Sequence, residues 1–318
     1  AKIFAFFGAC VGLFGIGTFS QVNGISSAVV GFFDPDKSLA VTIPGLGTYS
    51  WVVVIASLVL TFCVAAVIIG GVKRIASVSQ VVVPFMAAAY IIAAVVILIL
   101  NYKAIPGAVV EIVQSAFGMR AVAGGALGAM MLAMQKGIAR GIFSNEAGIG
   151  SAPIAAAAVQ TTEPVRQGLV SMLGTVIDTI IICTMTGLSI VITGSWDKGL
   201  EGVAVTTRAF QVGLPFPAKV SAFILMLCLV FFAFTTILGW DYYSERCLDY
   251  LTGNNQKVVR AYRWIYIACV FIGPYMTVSA VWTIADIVNG LMAIPNLIAL
   301  LALNGVVVAE TKKYFKKF

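Results

Sequence analysis

The sequence contains no histidine, and only 10% of its 318 residues are charged. The missing histidine excludes a Ser-His-Asp triad, a histidine-ligated metal and a histidine proton relay. Soluble domains carry about 25% charged residues, so an ordinary water-facing surface is excluded as well. No Walker-type phosphate loop occurs, which argues against ATP-driven pumping by this chain. The six cysteines (Cys10, Cys63, Cys183, Cys228, Cys247 and Cys269) form no CxxC pair. Lying mostly inside apolar runs, they read as buried free thiols, neither disulfides nor zinc ligands.

What is abundant is apolar surface. Hydrophobic residues make up 60% of the chain and the mean hydropathy is +1.02. No soluble fold of this size hides that much, so the expected fold class is an all-α polytopic membrane protein with the lipid bilayer as its partner. The net charge of +7 belongs to loops and gives no reason to expect nucleic acid. Eight apolar stretches are long enough to span: 3–31, 50–70, 77–100, 121–159, 168–193, 218–250, 260–278 and 281–309. With eight spans, the basic clusters Lys73–Arg74, Arg166, Arg246 with Lys257, Arg260 and Arg263, and Lys312, Lys313, Lys316 and Lys317 share one side. The positive-inside bias makes that side, and the C-terminus, cytoplasmic. The opposite loops, 32–49, 101–120 and 194–217, are longer and balanced in charge, with Asp34, Asp36, Lys37, Asp197, Lys198, Glu201 and Arg208. The chain opens on Ala1 and is uncharged from Ile3 to Phe33, far beyond a signal-peptide core. It reads as a sequence that continues from something N-terminal.

The fourth span carries the strongest functional signal. Apolar residues run into "RGIFSNEAGIGSAP", which holds Gly141, Gly148, Gly150 and Pro153 around Asn145 and Glu146. Such a stretch unwinds into two half-helices, which is tolerated at membrane depth only where backbone lines a cavity or is buried in protein. Carbonyls freed from the first half suit a cation and amides opening the second suit an anion, so a zwitterion such as an amino acid fits. The plainer alternative is a packing kink made by small residues. Arg140 and Lys136 are expected to pair with Glu146 or Asp178, or to stand at the cytoplasmic mouth, and Asp178 is expected to be a structural partner of one of them. Thr235 and Thr236 offer hard oxygen ligands for Na⁺, or else bond back to their own helix. Trp240 shares their face and either caps a side-chain pocket or simply packs. Gln21 and Asn23 face a polar cavity or bridge helices. Asp241, Glu245 and Arg246 suggest a cytoplasmic-end network. Asp286, near the outer end of the last span, is given no site role, and Pro295 is expected to bend that span. Glycines and alanines at Gly124, Gly125, Gly128 and Ala129 suit close helix packing.

The stretch "GIFSNEAGIGSAPIAAAA", with "VSMLGTVIDTIIICTMTGL" and "FAFTTILGWDYYSERC", resembles the signature of the alanine/glycine:cation symporter family, also called sodium:alanine symporters. The resemblance runs over the whole chain. It implies the leucine-transporter fold, with two inverted five-helix repeats, and Na⁺-coupled uptake of alanine or glycine across the plasma membrane of a prokaryote. In that fold the eight spans would be core helices three to ten, and the interrupted span core helix six. By resemblance, Asn145 and the backbone from Phe143 through Ser144 to Gly148 would line the substrate site. Trp240 would close its side-chain end and Gln21 would approach from core helix three. Thr235 and Thr236 would ligate Na⁺, the coupling ion, with no other cofactor. The family's extra first helix and core helices one and two have no counterpart here. Residues 1–318 are therefore expected to be one transmembrane transport domain lacking its N-terminal helices.

Two other classes were weighed: a cation channel using the interrupted span as a filter, and an intramembrane enzyme built on Ser144 with Lys136 or Arg140. A filter is usually repeated by symmetry, and here the break occurs once. The glycines weaken the enzyme reading, since they disrupt the helical face that would align serine and lysine. Symport is therefore the expected function, with proton-coupled amino-acid transport as the alternative, and no enzymatic activity is expected.

Overall fold

The computed structural model describes all residues except 37, 44–46, 118–124, 147 and 317–318. Lys37, Gly124 and Lys317, and the position 147 inside the fourth span, therefore lie outside the described residues. The chain is almost entirely helical. The first apolar stretch forms α1 (Lys2–Phe14) and α2 (Phe19–Phe33), separated by a short interruption. A hairpin of β1 (Ala40–Ile43) and β2 (Gly47–Ser50) pairs antiparallel with Ala40 opposite Ser50 and leads into α3 (Trp51–Ile68). Then follow α4 (Gly71–Leu100), α5 (Ile105–Ala116), α6 (Ala126–Asn145) and the five-residue α7 (Ala152–Ala156). Next, α8 (Pro164–Thr175) widens into a π-helical segment, Val176–Cys183, and continues as α9 (Thr184–Ile192). The chain ends with α10 (Val203–Gly213), α11 (Ala218–Thr252), α12 (Gln256–Ile272) and α13 (Val278–Phe315).

Among the described residues, six of these units are long and apolar enough to cross a membrane: 2–33, 51–68, 71–100, 164–192, 218–252 and 278–315. The other two expected spans take a different form. The fourth is divided into α6 and α7, and the seventh is the 17-residue α12, which ends in a tight turn at Gly273–Tyr275. Pro84 and Pro295 both lie inside continuous helices. The loops expected at 32–49, 101–120 and 194–217 are not featureless, since they contain the β-hairpin, α5 and α10.

Helix α11 organises the core. Its apolar residues from Val220 to Leu238 spread around the helix, and most of its charged residues gather towards its C-terminal end. Leu225 and Cys228 pack with Tyr90, Ile97 and Phe210 near its start. Ile237 and Leu238 pack with Val22, Leu60, Val64, Tyr262 and Tyr266 at its middle. Trp240 faces Val11, Ile16, Ile149 and Met292. Helix α1 comes unusually close: a Cβ on Gly12 would stand 2.5 Å from the Ser244 side chain, and one on Gly8 2.6 Å from Cys247 Sγ. Two glycines four residues apart thus let the α1 and α11 backbones approach, as small residues do in membrane bundles. Large apolar side chains point outward elsewhere, among them Phe62, Val81, Leu127 and Leu301. All six cysteines are free, but Cys63 and Cys183 are exposed, contrary to the expectation of burial.

Asp34 ties the hairpin to the helices. It accepts from the Ser38 amide at 2.8 Å, from the Leu39 amide at 3.4 Å and from the Ser50 hydroxyl at 2.5 Å, while Ser50 caps α3 through the Val52 amide. The Ser50 hydroxyl foremost, with the Ser38 groups, holds the Asp34 carboxyl below its ordinary range against the opposing effect of burial. A carboxyl with a lowered folded-state pKa contributes stability above its unfolded value and loses it as pH falls through the folded value. Asp34→Asn should accordingly lower the thermal midpoint at neutral pH. The gap to wild type should close on acidification, and parallel curves of midpoint against pH would show that Asp34 contributes nothing through its charge.

Candidate functional site

The interruption expected in the fourth span is present, and its backbone explains its residues. Helix α6 ends at Asn145, and Glu146 caps it in the left-handed region at φ 56°. Gly148 follows at φ 81° and Gly150 at φ 100°, conformations that L side chains rarely adopt. The chain restarts in α7, with Pro153 in its first turn, where a missing N–H costs nothing. Gly150 is confined as well as twisted, because a Cβ there would meet Phe4 Cε2 at 2.6 Å and the Asn296 amide at 2.8 Å.

Three sets of side chains hold the break open. The Glu146 carboxylate accepts from the Trp240 indole Nε1 at 2.9 Å through one oxygen and from the Ser151 hydroxyl through the other, clamping the turn onto α11. From α13, Asn296 Nδ2 donates to the Gly148 carbonyl at 2.9 Å. On the third side lies the π-helical segment. Ser144 Oγ donates to Asp178 Oδ2 at 2.6 Å and lies 3.2 Å from Cys183 Sγ, and Asn145 Nδ2 donates to Thr179 Oγ1 at 2.9 Å. The wide turn brings Asp178, Thr179 and Cys183 towards α6, and π-bulges often occur at functional sites.

Several expected pairings are corrected. Arg140 bonds neither Glu146 nor Asp178; its Nη2 reaches both oxygens of Asp286 at 2.6 and 2.8 Å, and the guanidinium stacks 4.1 Å from the Trp282 ring. Asp286, given no role above, is thus a partner of the interrupted span, reached from α6 by the long Arg140 side chain. Asp178 is paired to a hydroxyl instead of a cation. Ser144 is engaged by Asp178 and Cys183, not by Lys136, so the residues of the supposed nucleophile pair do not meet. At the far end of α11, Glu245 is paired through two bonds with Arg263 (2.6 and 2.8 Å) and Arg246 with Asp249 (2.9 Å).

Two cavities flank the break. The larger, about 1030 Å³, is lined by Gln21, Asn23, Phe143, Arg208, Gln211 and Trp282. The smaller, about 490 Å³, is lined by Phe4, Gly150, Pro153, Tyr242, Arg246 and Asn296. The first touches α11 near Ala222 to Ala233 and the second at Tyr242 to Arg246, so they open towards opposite ends of that helix. Phe143 and Gly150, seven positions apart in sequence, stand in different cavities. The interrupted segment thus reaches from one cavity to the other.

Of the residues singled out from sequence, Gln21 and Phe143 line the larger cavity. Ser144 and Asn145 face the π-helical segment, Gly148 faces α13, and Trp240 is buried behind the break. Asn23 donates to the Met276 carbonyl at 2.8 Å, bridging α2 to the turn before α13. Thr235 Oγ1 donates to the carbonyls of Phe231 and Phe232, and Thr236 Oγ1 to that of Phe232, at 2.9–3.0 Å. These hydroxyl protons are spent on their own helix, and the oxygen lone pairs remain as acceptors. Among the described residues no group of three or more His, Cys, Asp or Glu side chains is placed to hold a metal ion. Sequence reasoning gave no role to Thr179, Asp286 and Asn296. Asn296 beside Pro295 was visible as a polar group in an apolar helix, but nothing in the sequence pointed to Gly148 as its partner.

Several long apolar helices, with the fourth apolar stretch opened at a turn of positive-φ residues, define a polytopic membrane protein. The chain belongs to the sodium:alanine symporter family, whose model matches residues 1–318. It is 51% identical over 319 residues to an uncharacterized transporter of Haemophilus influenzae, covering 100% of this chain and 66% of the relative. It is also 44% identical over 315 residues to the sodium/alanine symporter AgcS of Methanococcus maripaludis, covering 98% and 64%. To the probable sodium/glutamine symporter GlnT of Bacillus subtilis it is 39% identical over 261 residues, covering 82% and 53%. These relatives are transporters, not enzymes. The chain spans about two thirds of the length of the first two.

Proposed function

We propose that the protein couples Na⁺ entry to uptake of a small neutral amino acid, alanine or glycine, by alternating access. The observation that carries this reading is the interrupted helix lying between two cavities at opposite ends of α11. A carrier needs one site reachable from either side in turn, and backbone freed from a helix provides ligands for a zwitterion there. In this reading Gln21 and Phe143 meet the substrate from the larger cavity. Ser144, Asn145 and the Gly148 backbone supply polar groups when the break rearranges, and Trp240 bounds the side-chain end. The Thr235 and Thr236 oxygens ligate Na⁺. The architecture is that of the leucine-transporter fold, set in a prokaryotic plasma membrane with the C-terminus cytoplasmic. The names of relatives that carry alanine or glutamine support an amino-acid substrate.

The test is uptake of labelled alanine and glycine by the whole protein in liposomes. Uptake should follow an inward Na⁺ gradient and stop when it collapses. Uptake driven by a proton gradient alone would overturn Na⁺ coupling, and unitary currents would favour a channel. Thr235→Ala and Thr236→Ala should each raise the Na⁺ concentration for half-maximal uptake, with Thr236→Ser milder. If neither alanine variant shifts it, the threonines serve their helix alone.

A further inference from the structure

We propose that Asp241, buried where α11 meets α1 and α12, is a proton-binding site that carries a proton in the folded protein. The proposal does not rest on the transport reading. Asp241 is only 1% exposed, and its Oδ1 has no hydrogen-bond partner. The one cation facing it, Arg263 of α12, gives Nε and Nη2 to the two oxygens of Glu245.

The remaining neighbours are equally committed. Tyr262 donates to the Ala9 carbonyl of α1 at 2.7 Å, and Tyr266 donates to the carbonyls of Gly17 and Ile237 at 3.0 and 2.7 Å. Ser244 donates to the backbone carbonyls of Trp240 and Asp241. Cys10 of α1 stands near Tyr262, and α2 and α3 add Val22, Ile25, Leu60 and Val64 to the apolar cluster that holds Tyr262 and Tyr266. Asp241 and Asp249 therefore share with Glu245 a single guanidinium, Arg263, and Glu245 holds its bonds. An ionised carboxylate left without cation or donor in such surroundings is far costlier than a neutral acid. A proton needs only the orphaned oxygen. It can leave when α1 or α12 separates from α11, or when Arg263 exchanges Glu245 for Asp241.

Infrared spectroscopy of the whole protein with ¹³C-labelled aspartate, at neutral pH and without amino acid, reads this directly. A protonated-carboxyl carbonyl band should appear, move with the label, and vanish in Asp241→Asn. Absence of any label-sensitive band in wild type overturns the proposal without needing a variant, and so does a band that persists in Asp241→Asn. Thermal unfolding gives a second readout. A native state holding one proton more than the unfolded chain loses stability as pH rises, by up to about tenfold in the unfolding constant per pH unit. Asp241→Asn should flatten that slope between mildly acidic and mildly alkaline pH, and an unchanged slope overturns the assignment.

Discussion

Gly150→Ala should abolish uptake, and Gly148→Ala should reduce it severely, while both proteins still insert and purify. Both positions have positive φ, where a Cβ costs about 1–2 kcal/mol. At Gly150 the added atom would also drive into Phe4 of α1 and Asn296 of α13 at 2.6 and 2.8 Å. At Gly148 the nearest atom is Leu297 Cδ2 at 3.3 Å, the end of a flexible side chain, so backbone strain dominates. Relief comes only if the turn changes shape, and then the Asn296 bond to the Gly148 carbonyl is lost. Asn145→Ala should also abolish uptake, here by losing the bond to Thr179 and not by strain. Ligand-dependent thermal stabilisation separates these effects from misfolding, since a ligand raises stability by RT ln(1 + [L]/Kd). Wild type should be stabilised by Na⁺ with alanine and the variants should not. Wild-type stabilisation and transport in Gly148→Ala would reduce the break to a packing kink.

Glu146→Ala should cost the second-largest effect, this time in stability and transport together. Glu146 adopts a left-handed conformation uncommon for a residue with a side chain, and its carboxylate repays that strain with two bonds across the turn. Its removal leaves the Trp240 N–H and the Ser151 hydroxyl without acceptors beside a packed core. An orphaned buried donor costs about 1–3 kcal/mol, and interhelical hydrogen bonds in membrane bundles are worth about 0.6–2 kcal/mol. Glu146→Gly provides the control, because it relieves the strain and loses the clamp. If the clamp matters, glycine should be nearly as damaging as alanine, and Glu146→Gln, which keeps an acceptor for Trp240, should retain most function. A glycine variant that outperforms wild type would mean that strain, not the clamp, governs this turn.

Much of the architecture was legible because bilayer physics writes itself into composition. Apolar runs of membrane length gave the positions of the helices, and breakers with polar residues in the fourth run gave the interruption and its place. The same reading passed over a second, shorter interruption. Residues 3–31 look uniformly apolar, yet the helix breaks around Gly15 and Gly17, where the chain turns against Trp240 and the Gly17 carbonyl accepts from Tyr266. Glycines in an apolar run do not say whether a helix will bend, since the partner that makes bending favourable lies more than two hundred residues away. The π-helical turn at Val176–Cys183 was equally silent, because its residues are ordinary helix formers and only its neighbours across the break single it out.

Charge pairing shows the limit most clearly. From sequence, Arg140 had Glu146 and Asp178 as natural partners, being close along the chain or in the next span. In space it meets Asp286, which leaves Glu146 to Trp240 and Asp178 to Ser144. The sequence by itself determined that this chain is a multi-pass membrane protein and where its fourth apolar stretch opens, since hydropathy and backbone sterics are local properties. Only the tertiary structure decided which polar group answers which, and that the opened segment reaches from one cavity to the other. A buried polar side chain takes whatever partner the packing of distant helices places within about 3 Å, and no local pattern carries that information.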